Sequence, residues 1–369
     1  MITNVKKQAV ACTKTATLRG KLTDGITMAK RLLVAVALAV AFISSAYAQR
    51  QTAVLQRGDS VLGVYYGIDS FNQAVAASAD GDIITLSGGN FNSPERSLSK
   101  AITIRGAGAM ADTARGIIPT VFYEDFRCYS RNETTAYHLR IEGVMFAGGI
   151  KALCATGTQL LQSPEFIRCI FNEAPNTTTE CNVLNKNNAI YVNCILNERV
   201  SRNLGYNNCT FVNCVLWHGT ENNGTINLNN CVVRSYGESN ISANNTIFFR
   251  GSNTTGNPSI GSNLYNCVII GGTLSNVLNS TNTVLPADNL SAVFATFTNS
   301  SNDINYSTSY ALTDSAAANF LGVDGTQVGI YGGVMPFGFV PTYNVIRRCT
   351  VAPRSTADGK LSVDIELEQ

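Results

Sequence analysis

Arg168-Cys169-Ile170-Phe171, Asn193-Cys194-Ile195-Leu196, Asn213-Cys214-Val215-Leu216, Asn230-Cys231-Val232-Val233 and Asn266-Cys267-Val268-Ile269 repeat one pattern, and Asn245-Thr246-Ile247-Phe248 fills the gap between the last two. Successive spacings are 25, 20, 17, 15 and 21 residues. Helical-hairpin repeats need about 34 residues and propeller blades about 40, so units this short exclude both. Short β-branched strands between Asn/Gly turns predict a solenoid of coils, each burying its inward side chains against its neighbours. The variable spacing is that of insertions tolerated at turns, and the Leu-x-x-Leu-x-Leu frame of leucine-rich repeats is absent. Stacked coils bring equivalent residues to about 4.8 Å. Asn can then form amide ladders, and the following Cys is expected to point inward as a small apolar filler.

Upstream, Ile68, Phe71, Val75 and Ala79 fall on one side of a short amphipathic helix over 68–79. Strands follow at Gly81–Leu86 and Ile102–Gly106, then apolar groups at Val121-Phe122-Tyr123 and Ile141–Phe146. Downstream, Tyr343 to Val351 and Lys360 to Leu367 read as two strands around a polar Arg354–Gly359 turn. The predicted fold class is all-β: a right-handed parallel β-helix over residues 60–337, with a short N-terminal capping helix and a small C-terminal β appendage over 341–369.

Lys30 and Arg31 precede the apolar run Leu32–Ile43 and the small-x-small exit Ala46-Tyr47-Ala48. These are the three parts of a secretory signal. Residues 1–48 are therefore read as an N-terminal extension plus signal, 28–48 being the signal proper. Cleavage is expected after Ala48, and translation starts at Met1 or Met28. A secreted, periplasmic or cell-surface location follows. Only 14% of residues are charged and the formal net charge is +2, which gives no footprint for nucleic acid. No later stretch holds the roughly 18 apolar residues of a membrane span.

The run Ile68–Gly108 resembles the opening of pectin-lyase-like right-handed β-helix proteins, where a helix caps the open N-terminal end of the stack. Gly322-Val323-Asp324-Gly325-Thr326-Gln327-Val328-Gly329-Ile330-Tyr331-Gly332-Gly333 resembles the closing coil of secreted β-helix proteins common in Bacteroidota. The resemblance implies polysaccharide as the substrate class of catalytic members, cleaved by lyases with carboxylate-held Ca²⁺ or by hydrolases with clustered Asp residues.

Both chemistries need carboxylates converging on one face. No Asp occurs between Asp125 and Asp288, and the Glu residues of that span stand singly, at no shared place in the repeat. The expectation is a non-catalytic protein binding glycans or surfaces along one long face. A polysaccharide lyase or glycoside hydrolase is the alternative, and a purely structural envelope component a third. Trp217 is the only Trp and follows a strand at a coil corner. It either stacks on a sugar ring or packs against the next coil; Tyr191 and Tyr206 would widen a sugar-binding platform if they share its face. Two His residues, His138 and His218, and the absence of a Cys-x-x-Cys pair leave no metal site or cofactor expected. Asp80 and Asp82 flank Gly81 as turn residues. The repeat cysteines are expected as buried thiols, while Cys128, Cys154, Cys181, Cys209 and Cys349 lie outside the register and are the disulfide candidates.

Overall fold

A computed structural model describes residues 51–369 except 95–97, 115, 130–137, 149, 154–162, 173–187, 198–199, 202–207, 219, 222–225, 235–240, 250–258, 261–262, 275–280, 297–308, 341–344, 352–362 and 369. The proposed signal, Tyr206, Cys154 and Cys181 lie outside the described residues. The chain winds as a parallel β-helix. Two long sheets run its length, and a third side carries short parallel pairs such as Phe126–Tyr129 with Ile150–Leu153.

The first sheet begins with an antiparallel hairpin, β1 (Thr52–Arg57) and β2 (Ser60–Tyr66), and β1 pairs antiparallel with Ile83–Leu86. From there every step is parallel, through Thr103–Arg105, Arg140–Glu142, Glu165–Ile167 and onward to Asn263–Tyr265. The second sheet stacks in step, from Gly89–Phe91 to Thr283–Leu285. Ile141–Phe146, one apolar group in the sequence, is two strands in different sheets, separated by Gly143 at φ 68°.

That corner recurs. Between the two sheets of successive coils stand Gly143, Arg168, Asn193, Asn213, Asn230, Asn245 and Asn266, all at positive φ. The left-handed region disfavours most side chains, and Asn is among those that enter it most readily. The Asn of the repeat is thus required first by backbone conformation. Amide ladders do form, mostly at neighbouring positions: Asn208 donates to Asn188 (2.6 Å) and Asn244 to Asn229 (3.1 Å), while within the corner column Asn245 donates to Asn230 (3.4 Å).

The Cys beside each corner points inward and is buried, as its spacing predicts. It also does more than fill space. Its own N–H faces the core, where no strand receives it, and a buried N–H must find an acceptor. The N–H of Cys169 donates to Cys194 Sγ and that of Cys194 to Cys214 Sγ, both at 3.4 Å. Each thiol in turn donates to a carbonyl of the preceding coil, Cys194 to Phe166 O and Cys214 to Tyr191 O. Where Thr246 replaces Cys, its hydroxyl accepts from Cys231 N–H; one coil later Asn282 Oδ1 accepts from Cys267 N–H. The position selects a small side chain with a heteroatom at γ or δ.

Two disulfide candidates are corrected. Cys128 and Cys209 are free, buried thiols: both are inward strand residues, Cys209 opposite Ile226 in the parallel register. Burial pushes the thiols of Cys128, Cys231 and Cys267 up to about 12, so none is a nucleophile near neutrality.

Inside the coils aromatic rings stack on their equivalents, Phe166 on Tyr191 (5.1 Å) and Tyr191 on Phe211 (4.7 Å). The N-terminal end is covered by α1 (Ser70–Ala77), which buries Phe71 and Ala74, while Ile68 precedes the helix and is exposed. Lys100 donates to the carbonyls of Val75, Ala76 and Ser78 at the C-terminal end of α1, where the helix dipole favours a cation. Asp80 accepts from Ala101 N–H, and Asp82 from Ala79 N–H and, through both oxygens, from Arg57 of β1. Both turn aspartates are spent on holding the cap.

The chain after the last coil does not wind on. Residues 287–296 and 309–339 fold back along the second sheet. Helices α2 (Leu290–Val293) and α3 (Asp314–Asn319), with Phe294, Tyr310, Leu312, Val328 and Ile330, pack on the outward side chains of that sheet, among them Ile170, Ile195, Val215, Val232 and Ile247. Residues 320–339 then run as a strap along the corner column. Asn266 donates to Leu321 O, Asn245 accepts from Val323 N–H, Asn213 donates to Ile330 O and Gly332 O, and Asn193 donates to Pro336 O. The glycine-rich motif expected as a closing coil is this strap. A Cβ at Gly332 would lie 1.8 Å from Gln327 O and 2.6 Å from Asn230 Nδ2, so the close approach admits only glycine. A final antiparallel hairpin pairs Val345–Val351 with Val363–Glu368.

Two outcomes follow. Cys214→Val leaves the Cys194 N–H without its acceptor and lowers stability in urea unfolding by about 1–3 kcal/mol, whereas Cys214→Thr, which keeps a γ heteroatom, loses less; equal losses would contradict the hydrogen-bonding role. The second concerns acid. Arg57 beside it holds the Asp82 carboxyl below the usual carboxylate range, against the opposing effect of burial. A depressed folded pKa gives stability that is present above the unfolded value, about 3.9, and lost as pH falls through the folded one. Asp82→Asn should flatten that acid limb in melts between about pH 5 and 2 while leaving Arg57 unpaired at neutral pH.

Candidate functional site

Alternation decides which surface is open. In the first sheet, strands such as Cys209–Val212, Ile226–Asn229 and Ile241–Asn244 bury every second residue and leave the others part-exposed. In the second sheet, Val232–Arg234, Ile247–Phe249 and Val268–Ile270 are buried throughout, because one face meets the core and the other the C-terminal layer. Among the described residues of the two long sheets, the outward face of the first is the open extended surface.

The parallel register sorts its side chains into two columns. One holds Thr103, Arg140, Glu165, Ile190, Thr210, Asn227, Ser242 and Asn263; the other holds Arg105, Glu142, Ile167, Val192, Val212, Asn229, Asn244 and Tyr265. Along the axis the face is charged, then aliphatic, then uncharged and polar.

In the charged part, Arg140 donates to Glu165 (2.9 Å) and lies 3.7 Å from Glu142, which accepts from Arg168 (2.8 Å); His138 is 3.8 Å from Glu165. Glu142 and Glu165 share no place in the repeat, as the sequence indicated: Glu165 is in register with Arg140, and Glu142 with Ile167. They occupy adjacent coils of one face, and Arg140 lies between them. The 25-residue spacing between Arg140 and Glu165, long for this repeat, hid this, although Arg140 and Glu142, two apart on one strand, must share a face. Bridging guanidiniums make the cluster an ion-pair ladder. Among the described residues no group of three or more His, Cys, Asp and Glu side chains is placed to hold a metal ion.

The sugar-stacking expectation is corrected for Trp217 and Tyr191. Tyr191 is 0% exposed and points into the coil, within the stack of Phe166 and Phe211. Trp217, 1% exposed, is on the other sheet, facing outward but covered: Phe249 and Tyr310 pack edge-on at 6.3 and 6.4 Å, and the Arg234 guanidinium sits 4.6 Å above its ring. Of the two sequence alternatives for Trp217, packing prevails, though against the C-terminal layer as well as the next coil. The two residues share no face. Tyr206 lies outside the described residues. The aromatic side chain that does reach the open face is Tyr265, 40% exposed. Its signal was the parity of Asn263-Leu264-Tyr265, in which the apolar centre turns inward and both neighbours outward.

Comparison with protein-family models, curated proteins and solved structures finds no match for the chain.

Trp217→Ala is expected to cost about 3–5 kcal/mol, as for a fully buried aromatic, with a matching fall in thermal midpoint. An unchanged midpoint would show that the ring is not part of the packed layer.

Proposed function

We propose that the protein is exported and binds glycans or other extended surfaces along the open face of the first sheet, without catalysing their cleavage. One observation carries this reading: coil after coil, the first sheet presents part-exposed side chains in two straight columns, whereas the second sheet is covered by residues 290–294 and 310–330. Repeating rows about 4.8 Å apart suit a polymer better than a small compact ligand. The basic pair, apolar run and Ala46-Tyr47-Ala48 exit support export to the periplasm, cell surface or medium. The parallel coils and α1 at their N-terminal end support kinship with pectin-lyase-like helices of secreted Bacteroidota type.

Glu142 and Glu165 on that face favour a second reading, a polysaccharide lyase or hydrolase with Glu-based chemistry. Acid–base cleavage needs one carboxyl to deliver a proton and another to act as base or nucleophile. Each of these two already accepts a hydrogen bond from a guanidinium, Glu165 from Arg140 and Glu142 from Arg168.

The purified chain, incubated with plant, host and bacterial polysaccharides, is expected to release no new reducing ends while being retarded in gels containing at least one of them. Release that disappears in Glu142→Gln or Glu165→Gln would establish the catalytic reading instead. Neither release nor retardation would leave a structural role.

A further inference from the structure

The proposed binding face is chemically divided, and the division names its ligand. From Thr210 onward the two outward columns hold Thr210, Asn227, Ser242 and Asn263 beside Val212, Asn229, Asn244 and Tyr265. None of these side chains is charged. Among the described residues, the ion pairs of the face lie in its N-terminal part, around Arg140, Glu142 and Glu165.

The polar groups of this half also have capacity to spare. Asn244 Nδ2 donates to Asn229 Oδ1 at 3.1 Å. That bond fixes both amides and leaves the Asn229 N–H donors and the Asn244 carbonyl oxygen for something outside the chain. The side chains of Asn227, Ser242 and Asn263 make no hydrogen bond among the described residues. A row of amides and hydroxyls, each side by side with its equivalent at about 4.8 Å, matches a ligand whose every group both donates and accepts. Sugar hydroxyls are such groups. At the end of the rows Tyr265 supplies a part-exposed ring, an apolar plate with a polar tip on which a pyranose can stack.

We propose that this half of the face, centred on Asn229, Asn244 and Tyr265, binds an uncharged polysaccharide lying along the helix axis. The proposal rests on the reading of the first sheet as the binding face and narrows it to neutral glycans. An anionic polymer would have to lie over rows that offer it no cation, while losing the hydration of its carboxylates or sulfates. The amide rows make no such demand of a neutral chain, and binding without ion pairs is indifferent to salt.

The test is affinity electrophoresis of the full chain in gels containing neutral polysaccharides (glucans, mannans, xylans) or anionic ones (pectate, alginate, heparin). Retardation by at least one neutral polysaccharide is expected, unchanged on going from low salt to about 1 M, where the screening length is only about 3 Å. Tyr265→Ala should weaken it about tenfold and Tyr265→Phe far less; Asn229→Ala with Asn244→Ala should weaken it comparably. Both side chains of the amide pair are part-exposed, so the variants should melt near the parent, and Asn227→Ala serves as a second probe if either does not. Retardation only by anionic polysaccharides, lost in salt and lost in Arg140→Ala, would overturn this proposal and leave the binding face standing. Neutral binding untouched by Tyr265→Ala and the paired Asn variant would overturn it too, by placing the site elsewhere. No retardation in any gel would overturn both readings.

Discussion

At each corner between the two long sheets, one backbone N–H points into the core where no strand can receive it, and the rest of the structure is arranged around that constraint. The corner turns sharply because its residue is left-handed, which selects Asn in most coils and Gly143 in an early one. The turn then strands the next N–H, and an unpaired buried donor costs about 1–3 kcal/mol. The γ atom of the equivalent residue one coil on supplies the acceptor: a thiol at Cys194 and Cys214, a hydroxyl at Thr246. Coil stacking is thereby cooperative in both directions, since each coil satisfies its predecessor and depends on its successor. The motif read from the sequence as a repeat is the chemical record of that dependence.

This is why the fold was legible. Asn for the corner, a small heteroatom side chain for the stranded N–H, and two or three β-branched residues for the second sheet must recur once per coil, whatever lies between. Period survives insertion. The capping helix was legible for a similar local reason, Phe71 and Ala74 falling on one face, although Ile68 and Ala79 lie beyond its ends. The direction of Cys209 was not seen, because its strand carries no repeat-matched Cys, and alternation alone puts it inside.

The C-terminal layer was the less legible part. Nothing local says that Leu290, Phe294 or Val328 will fold back over earlier coils, or that the strap will reach Asn193, 143 residues before Pro336, and the glycine-rich strap looked like one more coil. One clue was present in the composition of the second-sheet strands. Ile247-Phe248-Phe249 and Val268-Ile269-Ile270 have no polar side, and strands buried on both faces read as unbroken apolar runs. By the same logic Val215-Leu216-Trp217 belonged to a covered face, which is where Trp217 lies. Its corner position alone left both alternatives open, and that pattern decides between them.

The two faces therefore divide the work that one solenoid must do. Closing the second sheet under α2, α3 and the strap adds apolar burial on its outer side, at about 1.5–3 kcal/mol for each large side chain fully covered. It also occupies the amides of Asn193, Asn213, Asn245 and Asn266, whose donors and acceptors meet strap backbone. With that side sealed, the first sheet has no structural need for apolar outward residues, and its strands are free to alternate. The outward positions can then carry an ion-pair ladder at one end and amide rows at the other without loss to the core beneath. A surface that varies along its length on an invariant interior is the property that lets a coil stack discriminate among long, chemically repetitive ligands.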